Sequence, residues 1–147
     1  MEKIYNIIDN ILQEKEYKII QESIIIVYYK IGKYIVDNNY SIFTMEDNLR
    51  KRYGLFIGFT RRNIKNMIKF YNLYKNYDIN KLKKISWDNH LIIMKQKNKD
   101  ELIKYCLNYN IDKNNLKKII KNGFNKKYIS NNYIENDIVT LEIIKNR

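Results

Sequence analysis

No proline interrupts this 147-residue chain, and only four glycines do. Inside a helix proline costs about 3 kcal/mol and glycine about 1 kcal/mol against alanine. A chain nearly free of both permits long helices, and its apolar residues recur at the matching period. Ile4, Ile7, Ile8 and Ile11 form one row; Ile20, Ile24, Val27, Tyr28, Ile31 and Ile35 form another. Residues 2–37 are therefore expected to make one long helix or two nearly collinear ones, ended by Asp37-Asn38-Asn39. Gly32 inside that segment is expected to admit the close approach of another helix.

The same reasoning places the later helices. Thr44 can cap a short helix over about 45–53, with Gly54 as its stop. Gly58-Phe59-Thr60 reads as a turn, with Thr60 capping a helix from about Arg61 to Asn76 whose apolar face is Ile64, Met67, Ile68, Tyr71 and Tyr74. Ser86 caps a helix over about 87–97, with Trp87, His90, Leu91 and Met94 on one face. Residues 99–109 follow, with Leu102, Ile103, Cys106 and Tyr109 inward. Asp112 caps a helix over about 113–122, and Gly123 ends it. The expected fold is all-α: a single domain of six or seven helices over residues 1–128, with a long N-terminal helix and a helix-turn-helix-like centre. Residues 129–147 read as a tail or linker remnant.

Several function classes drop out early. One cysteine cannot make an intrachain disulfide framework or a cysteine-based zinc site. No segment approaches the roughly 20 apolar residues of a membrane span. The N-terminus carries Glu2 and no small-residue cleavage site, so a signal peptide is not expected and a cytoplasmic location is. His90 and Cys106 fall on apolar faces and are expected to be core residues, and Ser86 a cap, not a nucleophile. No metal, cofactor or catalytic residue is expected.

The net charge is +12, but its distribution says more than its size. The chain has no alanine and is rich in Ile, Lys, Asn and Tyr, the residues of A/T-rich codons, so lysine excess alone is weak testimony. Residues 1–36 are neutral, residues 37–49 carry −3, residues 50–127 carry +16 and residues 128–147 carry −1. Of five arginines, four lie within 13 residues: Arg50, Arg52, Arg61 and Arg62. Guanidinium presents a planar donor fork suited to phosphates and guanine edges. In a helix-turn-helix the start of the second helix approaches the major groove. Here those residues are Thr60, Arg61, Arg62, Asn63, Lys65 and Asn66, with Lys69, Arg50 and Arg52 placed for phosphate contacts. Lys113, Lys117, Lys118 and Lys121 make a second basic face, expected to be solvated surface.

Four motifs in order carry a family resemblance. They are Val27-Tyr28-Tyr29-Lys30-Ile31-Gly32-Lys33-Tyr34-Ile35; Gly58-Phe59-Thr60-Arg61-Arg62-Asn63-Ile64, continuing through Met67 to Phe70-Tyr71; Ile85-Ser86-Trp87-Asp88-Asn89-His90-Leu91-Ile92-Ile93-Met94; and Leu116-Lys117-Lys118-Ile119-Ile120, followed by Gly123-Phe124. Over about residues 5–128 the chain resembles the N-terminal domain of YhcG-like proteins, in which a helical domain precedes a PD-(D/E)xK-type nuclease domain. The resemblance implies an all-helical, helix-turn-helix-like DNA-binding module. The family commonly has Trp where Tyr29 stands, His at Asn89, Arg at Ile68, Trp-Ser at Ile111-Asp112 and Arg at Asn114. The nuclease half is missing: the tail offers only Glu142-Ile143-Ile144-Lys145, which is E-x-x-K instead of E-x-K.

The expected function is a non-enzymatic DNA-binding module, with duplex DNA as partner. The alternative is a protein-interaction module, working as a homodimer or with a separate nuclease subunit. It would recruit or inhibit a nuclease or defence complex, as a phage or mobile-element protein would, with the Ile-rich N-terminal helix as its interface.

Overall fold

Two isoleucine rows build the first two helices. In the computed structural model, which describes residues 1–54 and 58–124, α1 spans Glu2–Gln13 and α2 spans Tyr17–Asn38. Ile4, Ile8 and Ile11 are buried on α1, and Ile25, Val27, Tyr28, Ile31 and Ile35 on α2. The break between them contains neither glycine nor proline. Glu14 makes it: Oε1 accepts the backbone N–H groups of Lys15 and Glu16, each at 3.0 Å, while Glu14 and Glu16 take extended backbone angles. A side chain that captures neighbouring amides competes with the helical ladder. The expected collinear run is thereby corrected, because α1 and α2 pack on each other.

Asn39, in the left-handed region at φ 49°, ends α2. Helix α3 spans Ile42–Tyr53 and starts earlier than expected. Its cap is Ser41, whose hydroxyl accepts the Thr44 N–H at 3.2 Å, so Thr44 is the donor to the cap and not the cap itself. Helix α4 spans Arg61–Tyr74 with Thr60 as its cap, accepting from the Asn63 N–H at 3.2 Å. Ile64, Met67, Phe70, Tyr71 and Tyr74 are buried; Phe70 takes the inward place expected for Ile68, which is half-buried.

Gly32 explains how closely α2 and α4 cross. A β-carbon there would stand 2.8 Å from the Met67 carbonyl carbon and 3.1 Å from Tyr71 Cβ. Tyr29 lies edge-on to Tyr71 and Phe70, at 5.2 and 6.3 Å between centroids. Phe59, only 1% exposed, pins the connector between α3 and α4. A short helix, α5, spans Ile79–Leu82, capped by Asp78 and buried at Leu82. Met1–Ser86 forms one compact unit.

A second unit begins at Trp87. Helices α6 (Trp87–Ile93), α7 (Lys99–Asn108) and α8 (Lys113–Lys121) build it, with α6 packed on both others. Helix α6 stops four residues before the expected end and buries Asn89, His90 and Ile93, while Trp87 and Leu91 are half-buried. Asn89 Nδ2 donates to the Ile111 carbonyl at 2.8 Å, joining two positions at which the sequence departs from the YhcG-like pattern. His90 is fully buried, and burial pushes the Cys106 thiol up to about 12, which keeps it protonated and inert. The Asp112 carboxylate accepts the Asn115 N–H at 2.8 Å and caps α8, whose Leu116 is buried and whose four lysines are exposed. The described residues thus hold eight helices and no strand; the one beyond the expected six or seven is α5. Residues 129–147 lie outside the described residues.

Candidate nucleic-acid interface

Helix α3 carries four of its five charges in i,i+4 pairs. Glu46 faces Arg50, and Asp47 faces Lys51, the latter pair at 2.8 Å. Glu46 also reaches the start of α4. Oε2 accepts the backbone N–H of Arg61 at 2.7 Å, and Oε1 accepts from the Arg61 guanidinium at 3.3 Å. Its Oε2 stands 3.5 Å from Arg50 Nη1. One carboxylate, its side chain 14% exposed, therefore gathers two guanidiniums and one helix-terminal amide. The Arg61 guanidinium lies over the Phe43 ring at 4.1 Å. Phe43, Thr44, Glu46, Asp47, Arg50, Lys51 and Arg61 line an open groove of about 650 Å³.

Arg52 turns toward α1. It pairs with Asp9 at 3.2 Å, donates to the Tyr53 hydroxyl at 3.1 Å and lies 4.4 Å from the Tyr5 ring centre. The Tyr53 hydroxyl donates to Asp9 Oδ1 at 2.9 Å. Burial first, and that bond second, push the Tyr53 phenol up to about 12. Of the four clustered arginines, three thus have a carboxylate partner.

The other expected residues divide in two. The Thr60 hydroxyl is committed as a cap, and Asn63 Nδ2 donates to the Gly58 carbonyl at 2.9 Å, holding the turn. Arg62, Lys65 and Lys69 are exposed and make no ion pair among the described residues. Their spacing of three and four residues puts them on one helix face, with Asn66 half-buried beside them and exposed Asn72 continuing the row. Seven residues of rise make a stripe about 10 Å long. Helix α4 contains no acidic residue, and its opposite face is buried against α2. Reasoning from sequence missed Glu46, Asp9 and Phe43. The i,i+4 relation of Glu46 to Arg50 was a legible signal; the reach of Asp9 to Arg52 across 43 positions left none.

These features define a helical module whose central basic helix rests on a long partner helix. The family model of the DUF1016 N-terminal domain matches residues 3–129. The chain belongs to that family, the N-terminal domain of YhcG-like proteins. The match runs through both compact units. No curated protein and no solved structure matches the chain. No helix among the described residues is long and apolar enough to cross a membrane.

Proposed function

We propose that the chain is a non-enzymatic, cytoplasmic DNA-binding module, and that the outer face of α4 is its contact with duplex DNA. The observation that carries this reading is the exposed row Arg62, Lys65 and Lys69, without an ion pair among the described residues, on a helix without an acid. An α-helix fits the roughly 12 Å width of the major groove. Guanidinium at the helix start suits a base edge or a phosphate, and the two lysines suit phosphates. The succession of α3, a seven-residue connector and α4 supports a helix-turn-helix-like arrangement with a longer turn than the usual 3–4 residues.

The test is retention of a labelled duplex at about 50 mM salt, where phosphate contacts are strongest. The parent chain binds, and the charge-reversed variant R62E/K65E/K69E does not, while its melting temperature stays within a few degrees. Equal binding by both chains refutes the assignment of the face.

A second reading, a protein-interaction module, draws on exposed apolar side chains: Leu12, Tyr17 and Ile19 flank the α1–α2 link and are 45%, 71% and 43% exposed. Light scattering after size exclusion separates the two readings. A concentration-dependent dimer that retains no duplex favours the second; a monomer that retains duplex favours the first.

A further inference from the structure

Glu46 stands where a bound phosphate would be drawn: between two guanidiniums, at the amide that opens a helix. A carboxylate in that place offers the same donors the same kind of acceptor. We infer that Glu46 is an internal competitor of nucleic-acid phosphate, which withholds Arg50 and Arg61 from DNA and so limits how strongly the module binds any duplex. The inference rests on the proposed DNA contact of α4 and adds the regulation of that site.

Three observations carry it. First, Glu46 has an anchor at the bend that is independent of the two guanidiniums. Its Oε2 is fixed by the Arg61 backbone N–H at 2.7 Å, and the side chain is 14% exposed. The negative charge stays at the bend, so an incoming phosphate meets it whether or not the arginines let go. Second, the arginines remain within reach of solvent. Arg50 is 43% and Arg61 49% exposed at the side chain, and ion pairs of that exposure hold weakly. They are restrained, not buried, and removal of the charge beside them frees them. Third, Phe43 lies under Arg61 at 4.1 Å, so the guanidinium keeps a platform beside the groove when the carboxylate charge is gone. The same residues then present two more cations within one connector of the Arg62, Lys65 and Lys69 row.

Each phosphate contact adds about 1 to the slope of log affinity against log salt. The parent, working through three cations, has a modest slope. Glu46→Gln keeps an amide oxygen to accept the Arg61 N–H and removes only the charge. It is expected to steepen the slope by about one to two and to tighten duplex binding about three- to tenfold at about 50 mM salt. Adding R50Q/R61Q to that variant should abolish the gain.

A second arm guards against a variant that folds poorly. In the parent background R50Q/R61Q should leave duplex affinity within about twofold, since the Glu46 charge beside them already offsets what both guanidiniums offer a phosphate. Unchanged slope and affinity in E46Q, with a parent that binds duplex through α4, overturn the inference and spare the DNA reading. A tenfold loss in R50Q/R61Q likewise overturns it, because those arginines would then be working contacts. No retention by parent or E46Q at any salt brings down both.

Discussion

At Gly32 there is no side chain because Met67 and Tyr71 occupy the space one would need. Alanine favours a helix interior by about 1 kcal/mol over glycine. Here that gain is outweighed, since forcing a methyl against a neighbouring backbone carbonyl costs about 1–3 kcal/mol as the helices move apart. G32A should therefore melt several degrees below the parent, and a higher melting temperature would show that α2 and α4 are less closely set. Tyr28 acts through protonation. Burial pushes its phenol up to about 12, against the lowering effect of its bond with Asn63. In the unfolded chain it ionises near about 10. A raised folded value means the stabilisation is fully present below about pH 10 and is lost as pH climbs toward 12. Tyr53 shifts in the same sense. Melting temperature should fall across that window, and Tyr28→Phe should flatten the fall; a pH profile identical to the parent's would contradict the role given to the buried phenol.

Among the elements, α4 depends most on its start. Thr60→Ala removes the acceptor for the Asn63 N–H and should cost about 1 kcal/mol of stability. Because that hydroxyl faces the helix amide, duplex affinity should survive; a large affinity loss with an unchanged melting curve would make Thr60 a DNA contact instead. The caps show what a sequence reveals about elements. Thr60 and Asp112 are readable because each precedes an apolar period; Gly123 closes the second helix, while the first ends at Tyr74, two residues before the expected Asn76. Ser41 was obscured because Thr44, three positions on, has the same chemistry. The α1–α2 break was hidden because glutamate is an ordinary helix residue, and only its bonds to Lys15 and Glu16 reveal it as a breaker. Helix α5 has four residues, too few to show a period. Inward choices at single positions, Phe70 over Ile68 and Asn89 beside His90, are settled by packing between helices, which one sequence does not display.

Across the whole molecule, charge is abundant but only part of it is available. Residues 50–127 carry +16, and that excess was plain in the sequence, as was the arginine cluster. Which cations stay free depends on carboxylates brought near by folding: Asp9 from α1 to Arg52, and Glu46 from α3 to Arg61. Pairs 15 and 43 positions apart leave no local trace, so the site read from sequence centred on the bend, whereas the cations of α4 beyond Arg61 make no ion pair among the described residues. The most direct test of the account is the salt dependence of duplex binding, by fluorescence anisotropy between about 50 and 200 mM salt, for the parent and for the neutral variant R62Q/K65Q/K69Q. The account predicts that neutralising the row flattens the slope by about three, one for each lost phosphate contact. Parallel lines for the two chains would contradict it.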